Sequence, residues 1–195
     1  MKNVLFLIFL LVVFFAKSSF ALIEIDITRG NLSPLPVAVS SLYVESNSSE
    51  ALKEMNVGSE ISAIIETNLL RSGLFYPMEK DSFVQKPDIA HLKPRFEDWK
   101  LIKAQALITG KVNITNDKLR IEFRLWDVLA AKEMVALAFT TVPDNWRRVA
   151  HIISDKIYKR LTGEEGYFDT RIIYVSEKGP KNQRIKKLAI MDQDG

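Results

Sequence analysis

Chemistry in this 195-residue chain would have to come from very few reactive side chains. There is no cysteine, and there are two histidines, His91 and His151. His91 stands in a proline-bounded loop and His151 in a stretch of helical periodicity. No third ligand is placed near either by sequence, and no HExxH occurs. Both read as structural, His151 as a residue at the edge of a helix face. No GxSxG, GxxxxGK[ST] or GxGxxG string is present, so neither a nucleophile elbow nor a phosphate cradle is encoded. Carboxylates are plentiful. No pair of them stands in an apolar setting that would keep one protonated for acid catalysis beside an ionised neighbour. The basic run "KGPKNQRIKK" could hold phosphate, but between two apolar runs it reads more simply as a solvated hairpin turn. Trp99, Trp126 and Trp146 could stack a ligand; their places on apolar faces or at strand ends favour core packing. The chain is therefore read as non-enzymatic, with no metal and no cofactor.

Function must then lie in surfaces. At 47% hydrophobic and 26% charged residues the chain has an ordinary globular composition. Lys2, the thirteen apolar residues Val4–Ala16, and small Ser19 and Ala21 at −3 and −1 predict a signal peptide over residues 1–21, cleaved between Ala21 and Leu22. The apolar run is short of the roughly 20 residues that span a bilayer; an uncleaved anchor is the alternative. Loss of Lys2 and Lys17 leaves 25 basic residues against 24 acidic, close to neutrality, which argues against a nucleic-acid partner. A cysteine-free exported chain suits the bacterial periplasm.

Periodicity supplies the elements. Ile23, Ile25 and Ile27 alternate with Glu24, Asp26 and Thr28 as in a half-buried strand, an arm over residues 22–35. Pro34 and Pro36 interrupt it, and Val37–Tyr43 resumes as a strand apolar on both faces, hence interior. Residues 44–56 are a Ser-rich connection with a helical turn expected at Glu50–Met55. A helix follows, with Ser59 as cap, Ile61, Ile64, Ile65 and Leu69 on one face, and Gly73 at its left-handed end. "LFYPM" is a short strand, 79–94 a polar loop, and Phe96–Leu101 a short helix. "AQALITGKVNI", "KLRIEFRLWDV" and "MVALAFTTV" read as an antiparallel meander with one wet face. Asp144 is expected to cap a second long helix, its apolar face formed by Trp146, Val149, Ile153, Ile157 and Leu161, with Gly163 ending it. The fold class is α+β: a mixed β-sheet with two helices on one face over residues 36–163. A linker (164–170) and a hairpin (171–195) complete the chain.

Several of these stretches, in this order behind a leader, resemble the TolB family of the Tol-Pal cell-envelope system. They are "LIEIDITRGNLSPLPVAV", "LLRSGLFYPM", "AQALITGKV", "RIEFRLWDV", "HIISDKIYKRLTGEEGYFDTRIIYVSE" and "KKLAIMDQDG". The resemblance implies a periplasmic, non-enzymatic adaptor that supports outer-membrane invagination during division and envelope integrity. It implies an N-terminal α/β domain followed by a six-bladed β-propeller, of which residues 171–195 would be the incomplete first blade, so that a fragment is expected. It also implies that the arm Leu22, Ile23, Glu24, Ile25, Asp26, Ile27, Thr28, Arg29, Gly30, Asn31, Leu32 and Ser33 engages a TolA-like inner-membrane protein. A Pal-like outer-membrane lipoprotein would bind the propeller. Read from the residues alone, the isoleucines could equally complete the domain's own sheet. A competing expectation is a ligand-binding or hydrolytic domain with its site in the loop around residues 79–98.

Overall fold

The strand expected over Val37–Tyr43 lies inside the sheet, as its two-sided apolar pattern predicts, but it runs over Leu35–Val39 (β1) and ends before the Ser40–Ser41 pair. The computed structural model describes residues 33–45, 56–115 and 118–195. The helical turn expected at Glu50–Met55 and the part of the arm before Ser33 fall outside these. β1 pairs in parallel with β3 (Phe75–Pro77) on one side and with β4 (Ala106–Thr115) on the other. From β4 the sheet continues as the expected antiparallel meander through β5 (Lys118–Asp127) and β6 (Lys132–Thr141). The strand order is β3-β1-β4-β5-β6, with the two-residue β2 (Tyr43–Val44) also on β4.

Alternation decides which face each residue serves. On β5, Leu119, Ile121, Phe123 and Leu125 are buried, and Arg120, Glu122 and Arg124 point the other way. The buried set lies under α1 (Val57–Arg71) and α4 (Trp146–Thr162). Ile61, Ile65 and Leu69 of α1 and Val149, Ile153, Ile157 and Leu161 of α4 join Val37, Val39, Ile108 and Phe123 in one cluster. Each such side chain contributes about 1.5–3 kcal/mol by leaving water, so this layer carries the stability of the domain. The two predicted helices on one face of a mixed sheet are therefore observed.

The opposite face is less wet than the alternation suggests. Ala38 and Leu107 point there and need cover, which comes from the segment expected as a plain polar loop. That segment, 79–94, holds a 3-10 turn (Lys80–Ser82) and α2 (Pro87–Ala90), and the short helix expected after it forms as α3 (Phe96–Leu101). Trp99, Ala90, Ala104 and Val128 close over Leu107 and Ala38, with Phe83 edge-on to Trp99. Gln85 organises the segment from inside. Its Oε1 accepts the Arg95 N–H at 2.9 Å and the Trp99 Nε1–H at 3.0 Å, and its Nε2 donates to the Lys93 carbonyl at 3.1 Å.

Both helix starts differ from expectation. α1 begins two residues before Ser59: Asn56 takes the left-handed conformation (φ 49°) at the N-cap, and its carbonyl accepts the Ser59 N–H. Asp144 sits in a 3-10 turn, Pro143–Asn145, so α4 starts after it with no side-chain cap. Both C-termini end as expected, with Gly73 (φ 74°) and Gly163 (φ 79°) left-handed.

The early start of α1 has a steric cause. Gly58 packs against the loop before β2, and a Cβ there would lie 2.0 Å from the Leu42 carbonyl oxygen. In a free helix Gly58→Ala would gain about 1 kcal/mol. Here the clash with backbone outweighs that gain, since overpacking costs about 1–3 kcal/mol or more. We predict a net loss of at least about 1 kcal/mol for Gly58→Ala, read as a lower urea midpoint at unchanged m-value. An unchanged or higher midpoint would show that the contact relaxes freely.

Candidate functional site

Residues spaced one turn apart on α4, Arg147, His151 and Ser154, point out of the core toward α1 and the end of the chain. There the terminal hairpin, β7 (Arg171–Lys178) paired with β8 (Ile185–Asp192), delivers the turn Asp192–Gly195. The Asn68 side-chain amide of α1 donates to Ser154 Oγ at 3.0 Å and meets His151 Nδ1 at 2.9 Å. Its carbonyl accepts from Gln193 Nε2 at 2.9 Å. Arg147 grips Asp194 Oδ2 at 2.5 Å. His151 is thus not at the edge of a helix face, as the periodicity suggested. It is 2% exposed, because the turn covers a position that the helical wheel of α4 alone leaves open. Ligand-capable atoms of His151, Asp192 and Asp194 lie within 4.8 Å of one another, a grouping the sequence could not reveal across forty residues.

The segment between α4 and the hairpin is packed rather than slack. Both oxygens of Asp155 are used: Oδ1 accepts the Phe168 N–H at 2.7 Å and Oδ2 the Asp169 N–H at 3.1 Å. Phe168 is fully buried against Tyr158 and Tyr167. Gly166 is required by proximity, since a Cβ there would fall 2.3 Å from Asp155 Oδ1. Arg148 reaches Asp169 through two nitrogens, and this partner raises the guanidinium pKa. The chain therefore leaves the domain in a defined direction. The hairpin beyond is exposed on both faces, with Ile173, Val175, Leu188 and Ile190 in solvent.

The loop around residues 79–98, the competing choice for a site, is occupied with covering the sheet. A hollow of about 170 Å³ beside it is lined by His91, Leu92, Gly110, Lys111, Glu122 and Arg124. His91 stacks on Tyr43 and bonds to the Pro87 carbonyl. Lys111 is held above its ordinary pKa by its bond to Glu45, and Glu122 below its own by Arg120. These are ion-paired surface groups, each committed to its partner. A second hollow is lined in part by Glu66, whose pKa burial raises despite the Lys80 ammonium 3.0 Å away.

Comparison with known proteins follows this geometry. The model of the TolB amino-terminal domain family matches residues 23–134, from the arm to the start of β6. The Tol-Pal system protein TolB of Pelagibacter ubique (strain HTCC1062) is 68% identical over 192 residues, covering 96% of this chain and 43% of that protein. The chain belongs to the TolB family. The crystal structure of TolB from Acinetobacter baumannii superimposes with a TM-score of 0.63 at 24% identity, over 84% of this chain and 37% of that one, which confirms the fold. The chain spans less than half the length of the curated relative it matches.

Within this TolB-family chain the matched span stops inside β6, so α4, the packed joint and the hairpin lie beyond it. Of the arm residues Leu22–Ser33, only Ser33 is described, exposed and two residues ahead of β1. Among the described residues no helix is long and apolar enough to cross a membrane. The seam at His151 was missed because its partners are polar residues of a hairpin turn, which local pattern reads as solvated.

Two predictions follow from these contacts. Asp155→Ala removes both acceptors of the joint and should cost about 2–3 kcal/mol, with faster proteolysis near residues 163–170; Asp155→Asn should lose about half as much. Equal stability of all three proteins would show that the joint is held by Phe168 alone. Glu66, with its pKa raised, binds its proton more tightly folded than unfolded. Its stabilising contribution is full below the ordinary value of 4.5 and is lost as pH rises through the folded value. Glu66→Gln should flatten that decline and leave stability at pH 7 equal or higher, by less than about 1 kcal/mol. A steeper decline in the variant would mean that the Lys80 pair outweighs burial.

Proposed function

We propose that this chain acts as a non-enzymatic periplasmic adaptor of the Tol-Pal system, supporting outer-membrane invagination during division and envelope integrity. The observation that carries this reading is the 68% identity to a Tol-Pal system protein TolB along almost the whole chain. In this reading residues 1–21 direct export and are removed between Ala21 and Leu22. The arm Leu22–Ser33 engages a TolA-like inner-membrane protein. An alternating Ile23, Ile25, Ile27 strand can add to an exposed sheet edge, its main chain supplying affinity and its side chains specificity. Glu24, Asp26 and Arg29 would set orientation and association rate. The location supports this: Ser33 is exposed, and β1, an interior strand of the sheet, begins at Leu35. Tension on the arm would be received by the middle of the sheet. Binding of a Pal-like lipoprotein belongs to the propeller in this reading and is not assigned to residues 36–163.

The test is the substitution Ile25→Asp. We predict loss of association with the C-terminal domain of a TolA-like partner, with the far-UV spectrum and melting midpoint unchanged. Unfolding by the same change would make the arm a core strand, and failure of the unsubstituted chain to bind would remove the TolA assignment.

A further inference from the structure

Two polar atoms are buried beside one another with no hydrogen-bond partner among the described residues: Nε2 of His151 and Oδ1 of Asp194. Nε2 lies 3.5 Å from the other Asp194 oxygen, longer than an effective hydrogen bond. The side chains are 2% and 11% exposed, so bulk water does not serve them. Folded interiors leave few such atoms unpaired, and those that are unpaired point to a bound water or ion. Asp192 brings a third donor into the same space, the three ligand atoms lying within 4.8 Å of one another. Each carboxylate is also steadied from outside: Asp194 through Oδ2 by Arg147 at 2.5 Å, and Asp192 through Oδ1 by Arg171 at 3.6 Å. That leaves each with a second oxygen to offer.

We propose that His151, Asp192 and Asp194 form a binding site for a divalent transition-metal ion, with Zn²⁺ the best match, that fastens the C-terminal turn to α4. One imidazole nitrogen and two carboxylate oxygens are an ordinary Zn²⁺ donor set with a position left for water. Mg²⁺ and Ca²⁺ demand six or more oxygen ligands and are poorly served. Two arginines already balance the two carboxylates, so the ion is held by its bonds, above all to nitrogen, rather than by excess negative charge. That predicts micromolar rather than nanomolar binding.

The surroundings of His151 supply the outer partner that a metal-bound imidazole needs. An ion on Nε2 requires Nδ1 to carry the proton and donate it. The Asn68 amide is at Nδ1, and turned over it presents its oxygen there. Gln193 turned with it keeps the Asn68–Gln193 hydrogen bond. The Ser154 hydroxyl, which accepts from Asn68 and donates to the Ala150 carbonyl, would then turn to donate to the Asn68 oxygen, so the three side chains together serve either tautomer.

The test uses the untagged chain, freed of metal with a chelator and titrated with Zn²⁺ by calorimetry and with Co²⁺ by visible absorption. The expected result is one equivalent bound and a Co²⁺ ligand-field band, both lost in Asp192→Asn and in His151→Gln. Asp192 is 39% exposed and its asparagine is isosteric, so that variant should melt with the unsubstituted chain in chelator. Saturating Zn²⁺ should raise the melting temperature of the unsubstituted chain by about 5 °C or more, leave Asp192→Asn unmoved, and not be matched by Mg²⁺ or Ca²⁺. No saturable Zn²⁺ binding below about 1 mM would overturn the proposal. So would binding that survives both substitutions, which would place the ion elsewhere.

Discussion

The contact on which the rest of this structure depends is the polar one inside the α1–α4 interface. Asn68, His151 and Ser154 meet where two otherwise apolar helices pack. Apolar surface alone would let α4 slide along α1 at little cost, because hydrophobic burial is non-directional. A buried amide and imidazole must be paired, and each mismatch costs about 1–3 kcal/mol. The pairing therefore selects one register for the two helices. That register presents Ile153, Ile157 and Leu161 to Phe123 and Leu125 of the sheet, and it aims Arg147 at the terminal turn.

From that register the exit of the chain follows. Asp155, one residue after Ser154, is left facing outward to receive the Phe168 and Asp169 amides. An isolated two-stranded hairpin is marginal in water. Here β7–β8 is secured at its open end only, where Arg171 pairs with Asp192: Phe168 and Asp155 hold the entry to β7, and the turn seated on His151 and Asn68 holds the exit from β8. The exposed apolar residues beyond this end, Ile173, Val175, Leu188 and Ile190, gain nothing from the domain itself, so order in the hairpin is imposed from its anchored end toward its tip.

How much of this could be read in advance divides along physical lines. Period-2 and period-3.6 patterns depend on solvent on one side and core on the other, so β5 and the apolar faces of α1 and α4 were legible residue by residue. The inference that Val37 and Val39 lie inside the sheet rested on apolarity at consecutive positions, and it held. Helix starts were not legible, since Ser59 and Asp144 are good caps by type. Close approach of Gly58 to Leu42 and the Pro143 turn decided otherwise. The cover over Leu107 was hidden too, because Gln85, a polar residue in a polar stretch, is buried by three hydrogen bonds that no local pattern encodes.

The seam at His151 was illegible for a deeper reason. Helical periodicity weighs a residue against its own helix, and position 151 lies beside the apolar stripe of α4 rather than on it. What buries it is Gln193 and Asp194, more than forty positions away, in a turn whose composition reads as solvated. A long-range polar contact of this kind contributes little net energy when satisfied and a large penalty when broken. It leaves no signature in hydrophobicity, only in the cost of its absence. That asymmetry makes it a suitable place to couple two parts of a chain. Loosening the turn would strand His151 and Asn68 together, so the hairpin's seat and the register of α1 against α4 are held or lost as one.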